Sequence, residues 1–290
     1  MQPPLRNLIF RHNVSSLAIK KMSSPTSTVE PLNAVEDRYG GVRVDLVEEH
    51  MDCDVYVPRL KASISQWRQQ GVKGVWMKLP IRHAHLVEPT VKEGFRYHHA
   101  ESDYLMLVYW IPETPDTLPA NASHTVGIGA FVMNNNREVL VVQEKSGAFG
   151  AKGVWKFPTG VANQGEDIWT AAIREVKEET GIDTEFVEIL AFRQTHKTFC
   201  GKSDLFFVCM LRPLSFEINK QDSEIKAAQW MPIEEYMAQP YIQGHESFKY
   251  VAEICSGQSK SSCSGFCAVP TLSTSGKKSY TYFNKLQLQN

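Results

Sequence analysis

The stretch from Gly160 to Ile182, GVANQGEDIWTAAIREVKEETGI, constrains the chain more than any other. Asp167 to Thr180 consists of helix-compatible residues, and Gly181 follows where a helix would stop. Placed at about 100° per residue around a helix, Ile168, Trp169, Ala172, Ile173 and Val176 cover one arc of roughly 140°. Glu175, Glu178 and Glu179 cover a neighbouring, slightly overlapping arc of about 100°, and Thr170 and Lys177 take the remaining side. A helix of this kind packs on a core and carries its acids along the margin of that core.

Three carboxylates at i, i+3 and i+4 repel one another, at about 0.2–0.5 kcal/mol per like-charge pair in an isolated helix. Glu-rich helix surfaces are ordinarily solvated faces. These acids instead border the apolar face, and only Arg174 and Lys177 sit near enough to offset them. A hard divalent cation with oxygen ligands would relieve the repulsion. The spacing alone leaves both readings open.

The rest of the chain sets the frame. Its 290 residues suggest two domains. Lys plus Arg total 31 and Asp plus Glu 32, a balance that excludes a protein holding nucleic acid by bulk charge. The longest apolar run, Tyr104 to Ile111, is far short of the roughly 20 residues of a membrane-spanning helix, so no membrane partner is expected. Six cysteines without a CxxC pair read as free thiols of a reducing compartment, and hence as a cytoplasmic protein. The acid-free N-terminal segment, with Arg6, Arg11, Lys20 and Lys21, supplies the alternative of an organellar transit peptide.

Residues 1–38 read as a disordered tail, with structure expected from near Tyr39. Val42, Val44 and Leu46 alternate as in a half-buried strand. Leu60, Ile64 and Trp67 mark one face of a helix ending near Gly71. Gly74 to Leu79 reads as a strand closed by Pro80, His85 to Glu93 as a second helix, and Phe95–His99 and Tyr104–Trp110 as two strands. This β-α-β-α-β-β order describes a small α+β domain over 39–118. Pro112, Pro115 and Pro119 mark a linker. In a second domain over 119–255, Gly127–Met133 and Val139–Gln143 flank Asn134-Asn135-Asn136-Arg137 and predict a hairpin. Residues 256–290, rich in Ser, Gly and Lys, are expected to be loosely ordered.

Gly160, five residues, Glu166, seven residues, and then Arg174-Glu175-Val176-Lys177-Glu178-Glu179-Thr180-Gly181-Ile182 match every defined position of the Nudix box. The chain resembles the Nudix hydrolase family. The resemblance implies an α/β/α sandwich with a mixed sheet, preceded here by the small α+β domain. It implies Mg²⁺ or Mn²⁺ held by Glu175, Glu178 and Glu179, with Arg174 holding the glutamate cluster. Gly160 would turn the loop backbone towards the metal, and Glu166 would tie the loop to the helix. The implied reaction is attack of water on a nucleoside diphosphate linked to another group, with Glu178 or an acid of a later loop such as Glu224 as base.

Gly74-Val75-Trp76, Glu93 to Glu101, Pro119 to His124, Leu190 to His196 and Trp230-Met231-Pro232 extend the likeness to plant cytosolic Nudix hydrolases with a pre-Nudix domain, over about Tyr39 to Glu253. That likeness implies ADP-ribose and NADH as substrates. An ADP-ribose-sensing module, or a pyrophosphatase for acyl-CoA or FAD, is the alternative. The N-terminal domain is expected to provide an interaction surface and to make the protein a homodimer. His83, His85, His98 and His99 read as ordinary histidines rather than metal ligands. Gly127-Ile128-Gly129 lacks the third glycine of a dinucleotide fingerprint. Trp76, Trp110, Phe192 and Phe199 are candidates to stack a base, with core packing as the default. Cys263 and Cys267 read as tail residues.

Overall fold

The computed structural model describes residues 29–150, 152–257, 265–272 and 278–283. They form two units that divide between Asn121 and Ala122, just past the proline-rich segment. No helix among the described residues is long and apolar enough to cross a membrane.

The N-terminal unit runs β1 Val35–Glu36, β2 Val42–Asp45, α1 Cys53–Gln69, β3 Gly74–Pro80, α2 Val87–Lys92, β4 Arg96–Ala100 and β5 Tyr104–Trp110. Its sheet has the order β1-β2-β3-β5-β4, in which β2 and β3 are parallel and the other pairs antiparallel. The face of α1 carrying Tyr56, Leu60, Ile64 and Trp67 packs on Val44, Val75, Met77 and Leu107. The helix begins earlier than the apolar spacing indicated, and Pro58 lies inside it. The second helix is shorter than expected, because 81–86 form a 3-10 turn before α2. Structure also begins before Tyr39. Leu32 is buried and donates its N–H to Ser63 Oγ at 2.8 Å, and β1 pairs with β2, so the expected 1–38 tail does not extend through these residues. Residues 1–28, where the transit-like reading falls, lie outside the described residues.

The C-terminal unit contains β6 His124–Val132, β7 Glu138–Glu144, α3 Gly147–Gly150, β8 Thr159–Val161, α4 Ile168–Thr180, β9 Thr184–Thr195, β10 Ser203–Pro213, β11 Ile225–Pro232, α5 Ile233–Ala238, α6 Pro240–Gln243, α7 Glu246–Cys255, β12 Cys267–Leu272 and β13 Lys278–Phe283. The order β8-β6-β10-β9 makes a mixed sheet, with β6 parallel to β10 and the remaining pairs antiparallel. Alternation along β6 sends side chains to both faces. Ile128, Ala130 and Val132 pack with Ala171, Ala172 and Val176 of α4. Phe131 packs on the other side with Ile233, Tyr236, Ile242 and Ala252 of α5 to α7. Helices therefore cover both faces, the α/β/α arrangement that the resemblance implied.

Two expectations are corrected here. β6 and β7 do not form a hairpin. After a single bridge between Met133 and Val139, β7 turns away and pairs with β11 in a separate sheet. The Asn134 side chain fastens this corner by accepting the N–H groups of Asn136 and Glu138, while Val139 and Val141 pack with Met231 and Ile233. The 256–290 segment is not uniformly loose. β12 pairs with β13, and Phe266 exchanges two backbone hydrogen bonds of 2.8 Å with Ile189 of β9. The five cysteines among the described residues are free thiols, and Cys263 lies outside those residues.

Candidate active site

Helix α4 positions the acidic cluster. It follows Asp167 in extended conformation and stops at Gly181, whose φ of 75° suits glycine. The apolar arc anchors the helix on β6, and this fixes how deep each acid sits. The Glu178 side chain is 52% exposed and that of Glu175 13%, while Glu179 is buried.

Arg174 gathers this cluster. Its Nε and Nη2 donate to the two carboxylate oxygens of Glu166 at 2.8 and 2.9 Å. Its Nη1 donates to Glu175 at 2.7 Å and to Glu178 at 3.0 Å, and Nη2 also reaches the Val161 carbonyl at 3.1 Å. Glu166 accepts a further hydrogen bond from the Asn163 N–H at 2.8 Å. The fork geometry of a guanidinium suits such multiple contacts. It joins the 161–166 loop to the helix and holds the Glu166 carboxyl below its ordinary range, aided by the Asn163 N–H. Burial pushes the Glu175 carboxyl up against the opposing pull of Arg174.

Gly160 acts by leaving room. A Cβ there would stand 1.9 Å from Cδ of Glu175. The glycine is not among those with positive φ, so the turning role expected for it is replaced by a steric one.

Glu179 is the deepest acid. Burial pushes its pKa up to about 7; Lys156 and the Thr159 N–H oppose the rise, and Glu175 and Glu144 add to it. Its Oε2 is buried without a hydrogen-bond partner among the described residues. Lys156 is itself buried and pairs with Glu144 at 2.6 Å. An all-carboxylate donor set with one unsatisfied buried oxygen suits a hard divalent cation. As the side chains stand, no three His, Cys, Asp or Glu groups among the described residues converge on one point, since Glu175 and Glu178 are turned onto Arg174.

A cavity of about 220 Å³ adjoins these groups. Its lining combines Glu144, Lys156 and Thr159 with Phe149, Phe157, Phe192, Phe206, Tyr236 and Phe248, and Arg193 stands at the same site. Gly127 and Gly129 serve this cavity. A Cβ on either would come within 2.8 Å of the Phe206 ring, which occupies the space over them, and Arg193 lies 5.0 Å from the ring centroid. Sequence reasoning missed Glu144, Lys156, Thr159, Arg193 and Phe206. They converge only through the pairing of β6 to β11, and the one local signal was the glycine pair facing Phe206 in register.

The remaining candidates separate clearly. Glu224 is exposed in the turn before β11, and its carbonyl accepts the Lys145 N–H. His83 and His85 contact the carbonyls of Glu48 and Met51, and His98 and His99 contact each other in the N-terminal unit. Phe192 lines the cavity. Trp76 and Trp110 belong to the N-terminal unit. The Phe199 side chain lies outside those described.

Residues 123–251 match the NUDIX domain model, and residues 32–111 match the model described as Nudix hydrolase domain. Nudix hydrolase 2 of Arabidopsis thaliana is 55% identical over 278 residues, which is 93% of this chain and 99% of that protein. The chain belongs to the Nudix hydrolase family. Nudix hydrolase 7 of the same plant is 55% identical, over 91% of this chain and 94% of that one. The human protein called nucleoside diphosphate-linked moiety X motif 6 is 40% identical, over 68% of this chain and 64% of its own length. Nudix hydrolases are pyrophosphohydrolases that generally need divalent metal ions. In this Nudix chain the loop-helix of the box lies beside an aromatic cavity, with Glu179, Lys156 and Thr159 between the two.

Proposed function

We propose that this Nudix hydrolase cleaves ADP-ribose and NADH, giving AMP together with ribose 5-phosphate or NMNH. The observation that carries this reading is the buried Glu179 carboxylate, with one unsatisfied oxygen, beside Lys156 and Thr159, which line an aromatic cavity. Glu175, Glu178 and Glu179 are the ligands for Mg²⁺ or Mn²⁺. A bound divalent ion supplies positive charge to the pyrophosphate oxygens and makes water a better nucleophile. Arg174 keeps Glu175 and Glu178 on one side of the helix and fixes the 161–166 loop beside them. Glu178 is half exposed, with one carboxylate oxygen turned onto Arg174, and it takes the proton of the attacking water. Phe206, lying over the two glycines of β6 with Arg193 above its ring, gives an aromatic wall for a base or nicotinamide ring. Lys156 and Arg193 supply cations for the phosphates at the same site. The likeness to plant enzymes with a pre-Nudix domain supports the choice of ADP-ribose and NADH. A small nucleotide, not a nucleic acid or a membrane, is the partner of this reading, in a cytoplasmic homodimer.

The test compares kcat/KM for ADP-ribose, NADH, FAD, acyl-CoA and nucleoside triphosphates, with products identified by chromatography and with EDTA controls. ADP-ribose and NADH are expected to lead the panel and to require Mg²⁺ or Mn²⁺. A tenfold preference for a coenzyme A derivative or a triphosphate would overturn the substrate assignment. Binding of ADP-ribose without turnover under any metal would overturn the enzymatic one.

A further inference from the structure

The N-terminal unit has a cleft of its own, of about 650 Å³, within the range of small-molecule sites. Trp76 and Trp110 line it together with Asp37, Tyr39, Lys73 and Leu118. The sheet register explains how two indoles come together. Gly74 of β3 pairs with Trp110 of β5, and Trp76 lies two residues beyond Gly74 on the same face. The two tryptophans are therefore diagonal neighbours across one strand pair, on the face opposite to the buried Val75 and Met77. Diagonal positions stand about 7–8 Å apart. At that spacing both indoles are within reach of one planar ring lying in the cleft that they line.

The surroundings hold this arrangement. Trp76 meets the His98 ring edge-on at 4.9 Å. Only one neutral proton pattern satisfies the contacts behind it: His98 Nε2–H donates to the Pro119 carbonyl at 2.9 Å, His99 Nδ1–H donates to His98 Nδ1 at 2.6 Å, and the Tyr104 hydroxyl donates to His99 Nε2 at 3.3 Å. Trp110 Nε1 is fixed on the Thr114 carbonyl at 2.9 Å. Leu118 packs over Gly74, where a Cβ would be 2.6 Å from its Cδ2, and offers an apolar surface beside the indoles. Two charges of opposite sign remain at the cleft. Asp37 uses Oδ1 for the N–H groups of Tyr39 and Gly41 at 2.7 and 2.9 Å, which leaves Oδ2 as an acceptor. Lys73 has no carboxylate partner among the described residues.

We propose that the N-terminal unit binds a purine nucleotide in this cleft, at a site separate from the catalytic one. The aromatic ring stacks with Trp76 and Trp110, an exocyclic amino group donates to Asp37, and the phosphate pairs with Lys73. Stacking on aromatic side chains combined with a cation for the phosphate is a general solution for binding nucleotides. This inference stands independently of the substrates assigned to the catalytic unit.

The probe is AMP, titrated into the full chain by calorimetry in EDTA. Lys73→Glu reverses an exposed charge and leaves the cleft walls intact; Trp110→Ala removes one wall, with Tm and circular dichroism as checks on folding. Wild type is expected to bind AMP, Lys73→Glu to bind it at least tenfold more weakly, and adenosine to bind both proteins alike. Phe206→Ala, in the catalytic cavity, is expected to retain this binding. Absence of AMP binding at millimolar concentration, or equal AMP affinity in wild type and Lys73→Glu, would overturn the proposal. Hydrolysis measured separately with metal keeps this result distinct from the fate of the catalytic assignment.

Discussion

Gly160 and Glu175 share one small space: a Cβ on the first would stand 1.9 Å from Cδ of the second. The glycine thus allows the carboxylate to lie against β8. Gly160→Ala must displace Glu175 by more than 1 Å or push the strand away. Misplacement on that scale costs about 100-fold in rate. Gly160→Ala should lower kcat about 100-fold while Tm falls by only a few degrees, measured by steady-state hydrolysis and differential scanning. Turnover near that of wild type would show that Glu175 has another place to go.

The buried Glu179 makes the metal-free protein sensitive to pH. Its folded pKa of about 7 lies above the ordinary 4.5 because burial disfavours the charge. The folded state therefore binds the proton more tightly than the unfolded chain. This stabilising contribution is full below about pH 4.5 and is lost as pH rises through about 7. The loss is on the order of 3 kcal/mol. In EDTA, Glu179→Gln should match wild type at the acid end of this window and exceed it in denaturant stability at pH 8. A variant less stable than wild type at pH 8 would mean that the carboxylate is already satisfied without metal.

Glu175 and Glu178 differ from Glu179 in being held by Arg174, and that difference shows what the sequence could and could not reveal. The helical arcs placed three acids beside a core and gave Arg174 as a nearby cation. They did not show that Arg174 takes Glu175 and Glu178 and leaves Glu179 to Lys156 and the Thr159 N–H. Strand existence was legible from local alternation and from the Gly74–Pro80 run. Strand pairing was not. β7 chooses β11 over β6 through packing of Val139 and Val141 with residues far away in sequence. The cavity depends on that pairing, so Glu144 and Lys156 carried no local mark. Pro58 hid the start of α1, and β12 and β13 lay within a Ser-rich composition that reads as loose.

Arg174→Lys tests whether geometry or charge holds the cluster. The guanidinium makes five contacts of 2.7–3.1 Å to Glu166, Glu175, Glu178 and the Val161 carbonyl. An ammonium keeps the charge but cannot form the paired bonds to Glu166. Each charged hydrogen bond contributes about 1.5–3 kcal/mol. Arg174→Lys is expected to reduce kcat by 10-fold or more and to raise amide exchange in the 161–166 loop. Wild-type exchange in that loop, with activity retained, would assign Arg174 to charge balance alone.

Phe206 separates binding from chemistry. Its ring lies over Gly127 and Gly129 of β6, where any Cβ would come within 2.8 Å, and Arg193 stands 5.0 Å from its centroid. Held in this way, the ring is a wall of the cavity, opposite in role to the acids and Arg174 of the helix. Stacking of one base on an aromatic side chain is worth about 1–3 kcal/mol. An interaction made equally with substrate and transition state changes KM and leaves kcat alone. Phe206→Ala should therefore raise KM for ADP-ribose and NADH about 10-fold or more, with kcat within about threefold of wild type. Gly129→Ala should act in the same direction and more weakly, because its methyl group pushes the ring from behind without removing it. If kcat fell while KM stayed constant, the ring would be supporting the catalytic helix, and the base would have to bind elsewhere.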